Sequence, residues 1–247
     1  MRDEEVGAAL VCTDCGARYP VHDGVPILLL DTTRSEFDSL QRNWREDGIA
    51  PPTTKLARFV SPAVHRPRDE HRRSAELLTG LAADAVVIDI GCGAVLLDSR
   101  VYRLDMGPFP LVHAVGDAHR LPLADASVDG IYIHRVLEHV TDPYVVVGEL
   151  LRVLKPGGFV SAIVPFMEPY HRNPIDNLRF GKEAVEMLFD GFDDGVVEIW
   201  AGPTAAMLWM LKEYVAIVFP GSNNGLFYAA VREAVGWVTY PLILLDG

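Results

Sequence analysis

The stretch 85–93 decides the fold of this chain; it is Ala-Val-Val-Ile-Asp-Ile-Gly-Cys-Gly. Its first half is a short apolar run, which is typical of a strand buried on both faces. Its second half places Gly91 and Gly93 directly after that strand, where backbone N–H groups can approach a ligand without a Cβ in the way. The stretch therefore predicts a buried strand and a ligand-binding turn, although Gly-x-Gly alone also fits an ordinary tight turn.

Further apolar runs follow, and they extend the pattern to a whole sheet. Strands that alternate with crossovers form a parallel sheet, so we expect a Rossmann-like, doubly wound, mostly parallel α/β fold. Ligands of such sheets bind at the carboxyl ends of the strands. The residues just after each strand are therefore the candidates for function. The later predicted strands are Val101–Asp105, Leu111–Val115, Val128–His134 and Phe159–Val164, with a helix over Pro143–Leu154.

Polar side chains stand at the ends of these predicted strands. Asp105 lies sixteen residues after Asp89, and a carboxylate there can accept both hydroxyls of a ribose. Asp117 follows the third strand and can accept a hydrogen bond from an adenine amino group. His134 ends the fourth strand. Taken singly, each acid also fits a loop residue or a helix cap.

Four motifs follow one another along the chain: Val-Ile-Asp-Ile-Gly-Cys-Gly (87–93), Gly-Asp-Ala-His-Arg-Leu-Pro-Leu-Ala-Asp-Ala-Ser-Val-Asp (116–129), Leu-Glu-His-Val (137–140) and Glu-Leu-Leu-Arg-Val-Leu-Lys-Pro-Gly-Gly (149–158). In this order they resemble the class I S-adenosylmethionine-dependent methyltransferases, and most closely their type 11 group. The resemblance covers roughly residues 84–192. It implies that Asp89, Gly91 and Gly93 hold the methionine end of the cofactor and that Asp105 holds its ribose. It also implies that Asp117 and Ala118 meet the adenine and that His134 lies near the sulfonium.

Two features depart from the family pattern. Val95 stands where the motif has a further small residue, and the connection from Gly93 to Val101 is short for a crossover, which usually takes about 10–12 residues. We therefore expect the helix that normally follows the glycine turn to be missing or rebuilt.

The N-terminal segment carries a Cys-x-x-Cys pair, Cys12 and Cys15, and resembles the second half of a small zinc ribbon that partners certain methyltransferases. A structural zinc needs four ligands, and these two cysteines, even with His22, do not complete a site. We expect a β unit without zinc, packed on the main domain.

The stretch after the fifth strand predicts the acceptor side of the site. His171 is the expected general base, oriented by Asp176, with His134 as the competitor; a plain polar loop is the alternative. His134, Glu138 and His139 also have ligand chemistry that suits a divalent metal. We expect none there, because Leu-Glu-His-Val resembles the start of a helix in metal-free relatives.

We divide the chain into a β unit (1–31), a helical linker or lid (32–80), a cofactor-binding domain (81–200) and an apolar helical extension (201–247). Residues 201–247 predict two helices around a Pro-Gly-Ser-Asn-Asn-Gly break, and we expect them to complete the core or to form a lid over the substrate. A homodimer face or a membrane-surface contact is the alternative.

Composition limits the remaining function classes. The chain has 247 residues and a formal net charge of -12, which disfavours nucleic acid as a partner. Three cysteines exclude a disulfide scaffold, and neither a signal peptide nor an apolar run of spanning length is evident. We expect a cytoplasmic protein.

These features together predict an enzyme of small-molecule biosynthesis that methylates an oxygen or nitrogen. The alternative is a protein that binds S-adenosylmethionine without methylating, as an activating partner or as a scaffold for another reaction. A nicotinamide dehydrogenase is disfavoured, because residues 91–96 lack the third glycine of Gly-x-Gly-x-x-Gly.

Overall fold

The computed structural model describes residues 9–13, 16–29, 70–94, 96–107, 109–170, 175–199, 201–219 and 225–246. Cys15 and His171, both named above, lie outside these residues, as does most of the predicted helical linker.

The centre of the molecule is a parallel sheet of five strands: β4 (Val87–Ile90), β5 (Tyr102–Asp105), β6 (Ala114–Val115), β7 (Val128–His134) and β8 (Leu154–Ile163). Their order in the sheet is β6-β5-β4-β7-β8. The chain adds β5 and β6 on one side of β4, then returns to add β7 and β8 on the other side. Ligands of such sheets bind at this reversal, beside the carboxyl ends of β4 and β7. The predicted Rossmann-like class is confirmed.

Helices cover both faces of the sheet, as a doubly wound fold requires. Helix α1 (Glu70–Leu78) buries Leu78 with Val87 and Tyr132 on one face. Helix α2 (Pro143–Val153) packs on the opposite face, where Ile88 and Ile131 lie in the largest apolar cluster. Alternate strand residues thus point to opposite sides, and both sides are buried.

Four strands differ from the prediction at their first residue. Strand β5 starts at Tyr102 rather than Val101, and β6 starts at Ala114 rather than Leu111. Strand β4 starts at Val87 rather than Ala85, because the backbone N–H of Val86 donates to the carboxylate of Asp129 (2.8 Å). Strand β8 starts at Leu154 rather than Phe159, because Leu154 already pairs with Val128 of β7. The Lys-Pro-Gly-Gly segment that follows lies within the strand, where the register with β7 shifts between Val128 and Gly130.

The predicted helix over Pro143–Leu154 is confirmed to within one residue, and the chain itself supplies its start signal. The Asp142 side chain accepts hydrogen bonds from the N–H groups of Tyr144 (3.0 Å) and Val145 (3.2 Å), and a proline follows in the first turn. An Asp cap and a proline at the first helical position satisfy or remove backbone donors that have no partner within the helix.

The N-terminal unit is a small antiparallel sheet of β1 (Ala9–Val11), β2 (Arg18–His22) and β3 (Val25–Pro26). It joins the main sheet directly. Ile27 forms a parallel bridge with Val115 in β6, and the N–H of Leu28 donates to the carbonyl of Val115 (2.8 Å).

The C-terminal part contains short α3 (Lys182–Leu188), then α4 (Pro203–Val218), α5 (Gly225–Thr239) and a 3-10 turn (Tyr240–Asp246). Two helices therefore flank the predicted break at 220–225. None of the helices in the described ranges combines the length and apolar character needed to span a bilayer.

Candidate cofactor-binding site

Gly91 and Gly93 have left-handed backbone conformations, with φ of +70° and +52°, and they are glycines for different reasons. A Cβ on Gly91 would lie 2.2 Å from a methyl carbon of Val136, so close packing requires the missing side chain. A Cβ on Gly93 would meet no atom within 4 Å. The turn is therefore closed behind Gly91 and open at Gly93, which is the side a ligand can approach.

Asp105 links this turn to the end of β5. Its carboxylate accepts the N–H of Gly93 (2.8 Å) on one oxygen and the N–H of Gly107 (2.7 Å) on the other. Burial raises its pKa, and the hydrogen bonds from these amides oppose that rise. Each carboxylate oxygen has a second lone pair, so Asp105 can still accept hydrogen bonds from a ligand.

Asp89 is the second buried acid at this edge. Burial, and then the charge of Asp105, raise the pKa of Asp89 to about 7, while Arg103 opposes the rise. A positive charge brought close to the two acids would stabilise their ionised forms. An open glycine turn beside two buried carboxylates thus fits S-adenosylmethionine, which carries an ammonium and a sulfonium.

Asp117 follows β6 and is held by a neighbour that the sequence analysis did not name. It accepts hydrogen bonds from the backbone N–H (2.9 Å) and the Nδ1 (2.8 Å) of His119. The Nε2 of that ring in turn accepts the N–H of Asp142 (3.4 Å). Burial opposes ionisation of Asp117, but the bonds from His119 outweigh it and lower the pKa. The Asp-x-His spacing was the available signal.

His134 lies at the carboxyl end of β7, as predicted. Its Nε2 is 3.0 Å from the Oγ of Ser161 on β8, and its ring packs edge-on against Tyr132. Ala118, half-buried, packs against the main core. The structure thus brings the glycine turn, Asp89, Asp105, Asp117 and His134 to one edge of the sheet.

The predicted acceptor loop is fixed at its base. Asp176 forms a two-pronged ion pair with Arg179, whose Nη2 also donates to the carbonyl of Pro169 (3.2 Å). The two ends of the stretch that contains His171 are therefore joined through Arg179. Asp176 is engaged with that arginine, and its orienting effect on His171 stays a prediction.

These elements fall within a recognised sequence family. Residues 73–162 match the family model of a methyltransferase domain. This part of the chain is similar to a methyltransferase domain. The match runs from α1 into β8 and so includes Asp89, Asp105, Asp117 and His134, and it confirms the family resemblance drawn from the motifs.

Relatives share parts of this chain. A 37.1 kDa protein encoded in transposon TN4556 of Streptomyces fradiae is 52% identical over 94 residues, which are 29% of this chain and 27% of that protein. A methyltransferase of Mycobacteroides abscessus is 27% identical over 177 residues, 61% of this chain and 60% of that protein. The chain therefore spans only part of each of these relatives.

Among solved structures, this chain is similar to that of the [4+2]-cyclase SpnF. It is 18% identical to this chain, with a TM-score of 0.49, and the alignment covers 82% of this chain and 92% of SpnF.

A cavity of about 1430 Å³ runs along β8, next to the methyltransferase domain's carboxyl edge. Arg135 and Glu168 line it near that edge, and apolar side chains form most of the remaining wall. The apolar side chains include Phe159, Val160, Val164, Phe180, Phe192, Val196 and Trp209.

The residues that the structure describes contain no group of three His, Cys, Asp or Glu side chains arranged to hold an ion. Cys12 is half-buried, and Cys15, the other cysteine of the pair, lies outside the described ranges.

Proposed function

We propose that this chain transfers a methyl group from S-adenosylmethionine to an oxygen or nitrogen of a small molecule. One observation carries the proposal: Asp89, Asp105 and Asp117 end three neighbouring parallel strands around a glycine turn that is open at Gly93. The family match over the same residues supports it. The cofactor would supply a methyl group already activated on a sulfonium.

The chain's own residues would hold the cofactor by charge and hydrogen bonding. Asp105 would accept the ribose hydroxyls, since its carboxylate is fixed by two backbone amides. Asp117, kept ionised by His119, would accept a hydrogen bond from the adenine amino group, with Ala118 beside the ring. Gly91, Gly93 and Asp89 would surround the amino-acid end, where the two buried acids favour the ammonium.

We place the acceptor in the cavity along β8, because this cavity reaches the carboxyl edge of the sheet. Its mainly apolar wall suits an acceptor with substantial apolar surface, and Arg135 and Glu168 provide polar contacts at the edge. Catalysis would consist mostly of in-line positioning, with one base to take the nucleophile's proton. We assign that role to His171.

A specific observation favours the non-methylating alternative. The described residues between Gly91 and Val101 form no helix, so the helix N-terminus that would stabilise an anionic ligand group there is replaced by turns. A chain that binds S-adenosylhomocysteine but never consumes S-adenosylmethionine, even with its acceptor, would establish that alternative.

Calorimetry tests the cofactor site. Wild type should bind S-adenosylhomocysteine in the micromolar range, and Asp105→Ala should weaken binding by about 1–3 kcal/mol, since ligand hydroxyls lose a buried acceptor. Asp125→Ala is the matched control, because Asp125 is an exposed acid that pairs with Arg152. Failure of the folded wild type to bind would overturn the proposed function.

We also propose that two copies of the chain meet through the C-terminal helices. The solvent-exposed face of α4 consists of a stripe of apolar side chains at helical spacing. We call this set the α4 stripe; it is Met207, Met210, Leu211, Tyr214, Ile217 and Val218.

A further inference from the structure

One small apolar cluster touches three of the segments that carry the candidate cofactor residues, namely those with Gly91 and Gly93, with Asp105 and with Asp117. Cys92 comes from the glycine turn, Met106 follows Asp105, and Val115 ends β6 just before Asp117. Each loop therefore has one apolar side chain anchored in the same place. The cluster consists of buried Ile27, Leu29, Cys92, Val112 and Val115, with half-buried Val25, Met106 and Phe109 packed against them.

Two of the five buried members come from outside the matched methyltransferase domain. Ile27 and Leu29 directly follow β3 of the N-terminal unit, far before the first matched residue, Arg73. Both are almost fully buried, at 6% and 5% exposure. The domain therefore depends on a separate segment to close the outer side of this cluster.

The same segment also fixes the edge of the sheet. Strand β6 has only two residues, paired on its inner side with Leu104 and Asp105. On its outer side the bridge from Ile27 and the hydrogen bond from the N–H of Leu28 hold Val115. Because β6 is so short, it forms few backbone hydrogen bonds with β5. The pairing on its outer side therefore helps to set the position of Asp117.

We propose that Ile27–Leu29 are positioning residues of the cofactor site, and that the N-terminal unit sets cofactor affinity through them. The inference rests on the proposed function, because it concerns the same site. Ile27 and Leu29 support Cys92, Met106 and Val115 from behind. Through these they hold the Gly93 and Gly107 amides against the Asp105 carboxylate. Loss of that support lets the loops relax, and a site displaced by even a fraction of an ångström binds its ligand less well.

The test compares two leucines of equal burial. Leu29→Ala removes the support, and Leu150→Ala opens a similar cavity in α2, within the main core. Both variants should unfold at lower temperature than wild type. Leu29→Ala should bind S-adenosylhomocysteine about tenfold or more weakly, whereas Leu150→Ala should stay within about twofold, because only the first displaces the loops.

A second readout needs no ligand. Hydrogen exchange of the Gly93 and Gly107 amides should be about tenfold faster in Leu29→Ala than in Leu150→Ala, because these amides depend on the position of Asp105. If Leu29→Ala fails to fold, Ile27→Val with Ile131→Val as its control repeats both measurements with a one-methylene change.

The outcomes separate this inference from the function on which it rests. A wild type that binds no S-adenosylhomocysteine overturns both. A wild type that binds, together with a Leu29→Ala variant of unchanged affinity and unchanged Gly93 exchange, overturns only the positioning role of the N-terminal segment.

Discussion

Glu138 is a fully buried carboxyl group in the turn after β7. Burial, and then the charge of Glu168, raise its pKa from 4.5 to about 7, while Arg135 and Arg179 oppose the rise. Between about pH 4.5 and about pH 7, Glu138 therefore stays protonated in the folded state, whereas it is ionised in the unfolded chain. This contribution lowers stability as pH rises from about 4.5 to about 7, and the loss is complete above pH 7.

Glu138→Gln removes that titration and should flatten the pH dependence. Ionisation of Glu138 should lower the free energy of unfolding of the wild type by roughly 3 kcal/mol at pH 8, since each pKa unit corresponds to about 1.4 kcal/mol. Urea unfolding at pH 5 and pH 8 should show a smaller difference for the variant. Glu149→Gln is the control, because Arg152 lowers the pKa of Glu149 and that carboxyl stays ionised at both pH values. An unchanged pH 5 to pH 8 difference in Glu138→Gln would contradict the assignment.

His171 is the residue on which the proposed chemistry depends. An imidazole with an ordinary pKa near 6.5 can take a proton at neutral pH. His171→Ala should therefore reduce turnover roughly 10²–10⁴-fold, the usual contribution of a general base, and leave the affinity for S-adenosylhomocysteine within about twofold. His134→Ala is the informative comparison, since His134 lies at the cofactor edge and should affect binding and rate together. Normal turnover in His171→Ala would assign the base to another group.

The sequence predicts the elements better than their ends. Strand β7 and helix α2 match their predictions closely, because an apolar run and a capped, proline-started helix are local signals. Strand β8 begins five residues early, since its pairing with β7 across a register shift is a tertiary property. Gly130 pairs with Phe159 in this register. A side chain does not fit there, because a Cβ on Gly130 would lie 2.3 Å from the ring of Phe159.

The candidate site was likewise predictable from the sequence only in part. Its acids were predictable, since a parallel sheet places the residues after each strand at one edge. His119 had a local signal in its Asp-x-His spacing with Asp117. The Ile27–Leu29 support had none, because it acts through contacts between segments that the motifs do not join. The N-terminal unit illustrates the point: its turn residues predicted a small β unit, but only the structure shows it paired to β6.

At the scale of the whole molecule, the α4 stripe is an exposed apolar surface along one helix. Its members recur at steps of three and four residues, the spacing by which two helices pack along a seam. The stripe contains no charged side chain, and Lys212 on the same helix is buried, so the basic face typical of a membrane-surface helix is missing from α4. A second copy of the chain presents the same uncharged stripe, which is why we propose it as the partner.

Ile217→Lys should therefore abolish self-association. We expect the wild type to sediment at twice the mass of one chain and the variant at the mass of one, because a lysine within the apolar seam must be desolvated. The thermal midpoint of the isolated chain should change little, since Ile217 is exposed within one copy. Tyr144→Lys on α2, an equally exposed apolar position away from the stripe, should remain associated. A wild type that sediments as a single chain at every concentration, or a Tyr144→Lys variant that dissociates equally, would remove α4 as the contact between copies.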